Sequence, residues 1–239
     1  MVASLGYATI FISEGLFSSL MSDIEIRDAV VCDGLRVGSL ALWTRPCHAS
    51  LAEQVLDALA SAKGYDLLVT PEYAFTGTLP GLAVDECRNI QAEIARMSQG
   101  SLFVANFLYQ DNGMLRNETI ACAGGDVLHT YGKKMTADEG RLAKKAGLSW
   151  LPGNASGAFA WNGLKVGIEV CIDAGVLASE GVTDCDLLLS PCCGSWLFNT
   201  DCVKPGGSYV MVDGSPAYML SGIVASRGAG GPVSDMGAF

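Results

Sequence analysis

Three side chains in this sequence have the type and setting that nucleophilic catalysis needs: Cys171, Glu72 and Lys133. Cys171 follows the run Leu164 to Val170, in which Val166, Ile168 and Val170 alternate, and Gly175 signals a turn soon after. Alternating β-branched residues predict a strand. The thiol then stands where a rigid strand presents its end to a cleft. A thiol needs a base to become a thiolate near neutral pH. Glu72 can be that base if a partly buried site raises its proton affinity. A cation is useful twice, because it favours the thiolate and stabilises the oxyanion of a tetrahedral intermediate. Lys133 is the candidate cation, and the backbone N–H of Ile172 is a natural second oxyanion donor. Such a set moves an acyl group from an amide or nitrile carbon to water through a thioester. Singly, each residue also has a plainer reading. Free cysteines are commonly buried for packing. A glutamate after proline, or a lysine near Lys134, Lys144 and Lys145, is commonly solvated.

The elements around these residues explain how they meet. Arg36 to Trp43 reads as the first core strand. Ser50 and Glu53 form a capping box for a helix whose apolar stripe is Leu51, Val55, Leu56 and Leu59. Asp66 to Thr70 is a short strand ended by Pro71, with Glu72 next. Val84 to Ser98 repeats Cys87, Ile90, Ile94 and Met97 at helical spacing. Leu102 to Tyr109 is a strand, Asp111-Asn112-Gly113 a turn, and Glu118 to Ala123 the next strand. Val127 to Tyr131 then leads to Lys133, which opens a polar loop or short helix up to Gly147. Ala158 to Trp161 and Leu164 to Val170 form a hairpin that delivers Cys171. A helical stretch to Gly181, strands at Asp186 to Ser190 and Ser208 to Val212, and a last strand near Gly222 to Ala225 complete the pattern, with a glycine-rich tail from Gly228. Strands alternating with helices, then joined by hairpins, predict a mixed α/β sheet. Residues 1–33 lack periodicity and read as an extension; residues 34–239 read as one domain.

Composition narrows the partners. Half the residues are hydrophobic and the net charge is −10, which disfavours nucleic acid and anionic membranes. No apolar run reaches the roughly 18–20 residues that span a bilayer. Met1 to Leu20 lacks a basic start and contains Glu14, so it reads as neither signal nor anchor. The nine cysteines include no CxxC, which fits neither a disulfide framework nor a zinc site and suits a reducing, cytoplasmic compartment.

The motifs are Leu67-Leu68-Val69-Thr70-Pro71-Glu72, then Arg116-Asn117-Glu118-Thr119 through Asp126 and Val127 to Tyr131-Gly132-Lys133, then Leu151-Pro152-Gly153 and Gly167-Ile168-Glu169-Val170-Cys171-Ile172-Asp173. In this order they resemble the nitrilase superfamily, the carbon–nitrogen hydrolases, from about Arg36 to Val212. The resemblance implies an α-β-β-α four-layer sandwich with mixed sheets, usually dimeric or higher, with no metal or organic cofactor. It implies Glu72 as general base, Cys171 as nucleophile and Lys133 as oxyanion-stabilising cation, acting on a small amide or carbamoyl-amine. Many members carry a second glutamate after the lysine; besides Glu169, Glu139 is the only glutamate between Lys133 and Cys171.

Departures matter too. Cys171-Ile172-Asp173 is nearer the amide-cleaving branches than the Cys-Trp-Glu of nitrile-cleaving members, and the chain matches poorly after Cys193. Glu169 lies on the same side of its strand as the thiol. There it is either a buried, hydrogen-bonded carboxyl or a substrate contact. Tyr73, Trp196 and Phe198 stand beside the motifs as pocket or core residues. Three other readings compete: a thiol hydrolase using His48 or His129, neither in a recognisable context; a nitrile-hydrolysing member; and a binding or regulatory protein that keeps the fold without turnover.

Overall fold

The computed structural model describes residues 24–44, 51–77, 80–194, 199–215, 223–226 and 235–237. In chain order the elements are β1 (Glu25–Val30), β2 (Arg36–Ala41), α1 (Ala52–Ser61), β3 (Leu67–Val69), β4 (Leu82–Ala83), α2 (Val84–Met97), β5 (Leu102–Asp111), β6 (Met114–Ala123) and β7 (Asp126–Gly132). They continue with α3 (Glu139–Lys145), β8 (Ser149–Trp150), β9 (Ala158–Trp161), β10 (Leu164–Ile168), α4 (Val176–Ser179), β11 (Cys185–Cys192), β12 (Val203–Asp213), β13 (Ile223–Ser226) and β14 (Asp235–Gly237).

Two mixed sheets result. One runs β1-β2-β3-β5-β6-β7, with β4 on β5 and β8 on β6; the other runs β14-β13-β12-β11-β10-β9. The three-residue strand β3 shows how layers form, since successive side chains on a strand face opposite ways. Leu67 and Val69 join a cluster with Val166, Ile168, Leu187 and Leu189 of the second sheet. Leu68 between them joins Val55 and Leu59 of α1 and Ile90 and Ile94 of α2. On the second sheet, Leu177 of α4 packs so closely that a Cβ on Gly167 would lie 2.8 Å from its Cδ1. The order is helices, sheet, sheet, helix. It is the mixed α/β sandwich that the motifs led us to expect.

Several boundaries differ from the sequence reading. Glu25–Val30, inside the stretch read as an extension without periodicity, is an edge strand paired antiparallel with β2. Its burial pattern is irregular, with Asp28 and Val30 exposed, so alternation gave no signal. Helix α1 begins at Ala52 after Leu51, with no side-chain cap; Ser50 lies outside the described residues. Pro191 does not end β11, which pairs with β12 as far as Cys192 opposite Asp213. Leu189 accepts from Glu169 N on the β10 side, and residues two apart point the same way. The donor that Pro191 lacks therefore faces the side where β10 has already ended at Ile168, and no ladder bond is lost. Asp235–Gly237, in the tail read as loop, pairs antiparallel with β13.

Candidate active site

Glu72, Lys133 and Cys171 each leave the end of a strand, and these ends meet. Beyond β3, Thr70 N donates to Val104 O at 2.9 Å and Glu72 N to Cys192 O at 3.2 Å, which ties the glutamate to the end of β11 in the other sheet. Beyond β7, Lys133 N donates to Asn117 O at 2.8 Å, and Gly153 N donates to Lys133 O at 2.9 Å. Only glycine allows that second approach, since a Cβ on Gly153 would sit 2.0 Å from Gly132 O. Beyond β10, Cys171 opens a 3-10 turn, Cys171–Asp173, with a φ of 53°. Among the described residues only Tyr73, Asn112, Asn162 and Cys171 are non-glycines with positive φ. The two asparagines sit in Asn-Gly turns, where this backbone is common. Tyr73 and Cys171 flank the site, where such strain costs about 1–3 kcal/mol each and needs the surrounding structure to hold it.

The side chains converge in a buried cluster. Lys133 Nζ donates to Glu72 Oε1 at 2.7 Å and Glu139 Oε1 at 2.6 Å, and none of the three residues is exposed. Asn117 Nδ2 donates to the same two oxygens at 2.8 and 2.9 Å. Tyr73 Oη donates to Glu139 Oε1 at 2.7 Å, and Ala137 N to Glu139 Oε2 at 2.9 Å. Glu72 Oε2 has no hydrogen-bond partner.

Electrostatics separate the two glutamates. Burial works against the charge on both. At Glu139 the Lys133 ammonium and the donated hydrogen bonds outweigh it, and its proton affinity falls to about 2. At Glu72 burial prevails over Lys133, helped by the charges of Cys171 and Glu139, so its carboxyl is held well above the usual range. Cys171 moves the other way, to about 6: the Cys192 thiol hydrogen-bonds it, burial opposes, and Lys133, the Cys193 N–H and Glu72 each add to the lowering. For Lys133 burial opposes the charge, but two carboxylates outweigh it and keep the lysine protonated.

No family model and no curated protein matches the sequence. Solved structures do. The amidase from Nesterenkonia sp. matches with a TM-score of 0.59 and 20% identity, over 88% of this chain and 90% of that one. A mutant described as Nesterenkonia AN1 amidase from the nitrilase superfamily matches at 0.59 and 20%, over 85% of this chain and 88% of that one. A further mutant of that amidase, with the acetamide moiety of fluoroacetamide added covalently at its active-site cysteine, matches at 0.58 and 19%, over 83% and 86%. The chain has the fold of the nitrilase superfamily.

Within this nitrilase fold the remaining sequence candidates take definite places. Glu169 does lie beside the thiol strand, but both its oxygens are taken by backbone: Gly175 N at 2.9 Å and Leu177 N at 2.7 Å. It holds the start of α4, the buried and hydrogen-bonded alternative. The Tyr73 hydroxyl is spent on Glu139, and the residue is buried. Ile172 lies inside the turn that Cys171 opens. Trp196, Phe198 and His48 lie outside the described residues. His129 stacks on Phe159 with centroids 4.8 Å apart and is lowered by burial.

Sequence reasoning missed Asn106, Asn117 and Cys192. Asn106 Nδ2 donates to Asn117 Oδ1 at 2.7 Å and Thr119 Oγ1 at 2.9 Å, while its Oδ1 accepts from Tyr73 N at 2.8 Å. For Asn106 the usable signal was a lone amide in the otherwise apolar run Leu102 to Tyr109, whereas Asn117 sits in the polar stretch Arg116-Asn117-Glu118-Thr119 and gives no such contrast. A buried amide in an apolar run needs polar partners. For Cys192 the signal was strand register. Ile168 pairs with Leu189, so counting three on from each brings Cys171 level with Cys192.

Proposed function

We propose that this protein is a cysteine-dependent hydrolase of non-peptide C–N bonds, of the amidase type, working through a thioester. The observation that carries this reading is a lysine buried between two carboxylates, Glu72 and Glu139, at the strand ends where Cys171 opens a turn with strained backbone.

The steps follow from the contacts. Lys133 and Asn117 occupy Glu72 Oε1, which leaves Oε2 to take the thiol proton. The thiolate attacks the carbonyl carbon of the amide. The oxygen becomes an oxyanion, stabilised by the Lys133 ammonium and the Ile172 N–H. Collapse breaks the C–N bond, Glu72 returns its proton to the nitrogen, and ammonia or an amine leaves an acyl thioester on Cys171. Glu72 then deprotonates a water that attacks the thioester. The carboxylic acid departs, and the proton goes back to the thiol. Glu139, held ionised, keeps Lys133 charged and oriented. The amidase matches support the amide class: their structures include a covalent adduct of fluoroacetamide and a complex with acrylamide. The test is ammonia release across a panel of small amides, ureas and nitriles. Release from at least one amide, lost in Cys171→Ala, is the expected result. Release from nitriles alone, or from none, overturns the reading.

A further inference from the structure

Asp173 is a buried acid that the reaction above does not use. It lies two residues after the nucleophile in the same 3-10 turn, and its own N–H donates to Val170 O at 3.0 Å. None of it is exposed. Its carboxylate is wholly committed to the chain on both sides of Lys133. Oδ2 accepts from Tyr131 Oη at 2.7 Å and from Lys134 N at 2.8 Å, and Oδ1 accepts from Met135 N at 2.8 Å. Burial raises its proton affinity against those three donors. An isolated carboxyl in such a place is costly, and it is tolerated when hydrogen-bonded throughout.

From this we infer that Asp173, with Tyr131, is a positioning pair that sets the distance between Cys171 and Lys133. The lysine's strand belongs to the first sheet and the cysteine's to the second. No strand ladder joins the two sheets among the described residues. A short, doubly anchored carboxylate bridges them: one end is rigidly joined to the nucleophile turn, and the other grips residues 131, 134 and 135. Glu72, beyond β3, and Glu139, at the start of α3, hold the Lys133 ammonium; Asp173, from the nucleophile turn, holds the backbone N–H groups of the next two residues, Lys134 and Met135. The inference rests on the proposed roles of Cys171 and Lys133.

Asparagine at 173 keeps the shape but replaces one accepting oxygen with an N–H that faces the 131–135 donors. Asp173→Asn should therefore loosen the lysine segment. The reading is the pH dependence of Cys171 carboxamidomethylation by iodoacetamide, followed by mass spectrometry on the intact, folded chain. The midpoint should rise by about one unit, because Lys133 then stabilises the thiolate less. On any amide the wild type hydrolyses, kcat should fall about 10–100-fold with KM changed less than a few-fold, as for a small misplacement of a catalytic group. Tyr131→Phe removes one of the three donors, and both readings should move the same way by less. A folded Asp173→Asn with wild-type midpoint overturns the inference. If Asp173→Asn does not fold, Tyr131→Phe decides: an unchanged midpoint overturns it. The alkylation midpoint needs no substrate, so it tests the clamp even if no amide is hydrolysed and the proposed function fails.

Discussion

The Lys133 ammonium lies 2.7 Å from the Glu72 carboxylate, with neither side chain measurably exposed. Glu139 holds the same ammonium from another direction. Two carboxylates and one lysine carry a net negative charge into a site that must form a thiolate. That is tolerable only because Glu72 keeps a high proton affinity and can exist as the acid. In the proposed reaction the same arrangement supplies a base without a histidine.

The adjacent lysines differ in what they touch. Lys133 is buried between two acids, whereas Lys134 pairs with the partly exposed Glu180. Removing one partner of a buried charge cluster typically costs about 3–5 kcal/mol, and losing a preorganised oxyanion donor costs about 10²–10³ in rate. Lys133→Ala should lose both. Lys134→Ala should lower stability by less than about 1 kcal/mol and change turnover less than a few-fold. Urea denaturation and kcat on one amide compare them directly; a large rate loss at Lys134 with little at Lys133 refutes the assignment.

Thiol reactivity gives a second prediction. Cys171 is lowered to about 6, first by its hydrogen bond with Cys192 and then by Lys133, while burial pushes Cys87, Cys122 and Cys193 up to about 12. Sub-stoichiometric iodoacetamide at pH 7 should label Cys171 first, because the thiolate is the reactive form. As pH falls through about 6 the labelling rate, and any amide turnover, should drop together. Equal labelling of Cys171 and Cys193 at pH 7 contradicts the lowered thiol.

The strained backbone of Cys171 separates chemistry from stability. At a φ of 53° an L-residue carries strain that glycine does not. Cys171→Ala and Cys171→Gly should both be inactive. The glycine variant should melt at least as high as the alanine variant, although in an unstrained strand glycine would cost about 0.5–1 kcal/mol. A glycine variant melting well below alanine means that this turn is not strained.

How far these residues were legible in the sequence follows from the kind of signal each gives. Cys171, Glu72 and Lys133 could be found because each stands at or just beyond the end of a strand read from the sequence, and a strand that stops is a local pattern. Glu139 came only through the family resemblance, since nothing local distinguishes it from the exposed Asp138 beside it. Asn117 was hidden by a boundary: the strand was read from Glu118, whereas β6 begins at Met114, so a residue facing the charges looked like turn composition. Glu169 was placed on the correct side of its strand, but its partners are the N–H groups of Gly175 and Leu177. Strand periodicity cannot reveal a carboxylate that reaches forward to cap the next helix.

Asn117 should matter more than a neutral amide ordinarily does. Its Nδ2 donates to Glu72 and Glu139 at once, and its Oδ1 is fixed by Asn106. Asn117→Ala leaves two buried carboxylates short of a donor, which costs about 1–3 kcal/mol per unsatisfied group. Asn117→Asp adds a third carboxylate against both and should be the more destabilising of the two. Denaturant midpoints test the order; an Asp variant as stable as wild type rules out the contact with Glu72 and Glu139.

Acid titration isolates Glu139 from Glu72. Glu139 is depressed from an ordinary 4.5 to about 2: burial opposes its charge, and Lys133 and the Tyr73 hydroxyl outweigh that burial. A depressed acid contributes stability that is fully present above its unfolded value and is lost as pH falls through its folded one. Glu139 should therefore stabilise the fold at pH 7, and the contribution should drain away between about pH 4.5 and 2. Glu72 is raised instead, so its ionisation opposes folding as pH climbs past its ordinary value. In Glu139→Gln the acid limb of the stability curve should flatten, and the loss of stability relative to wild type should be largest at neutral pH and smallest near pH 2. Urea midpoints taken across this window for both proteins decide the matter. A difference that stays constant with pH means that Glu139 is not held ionised by Lys133.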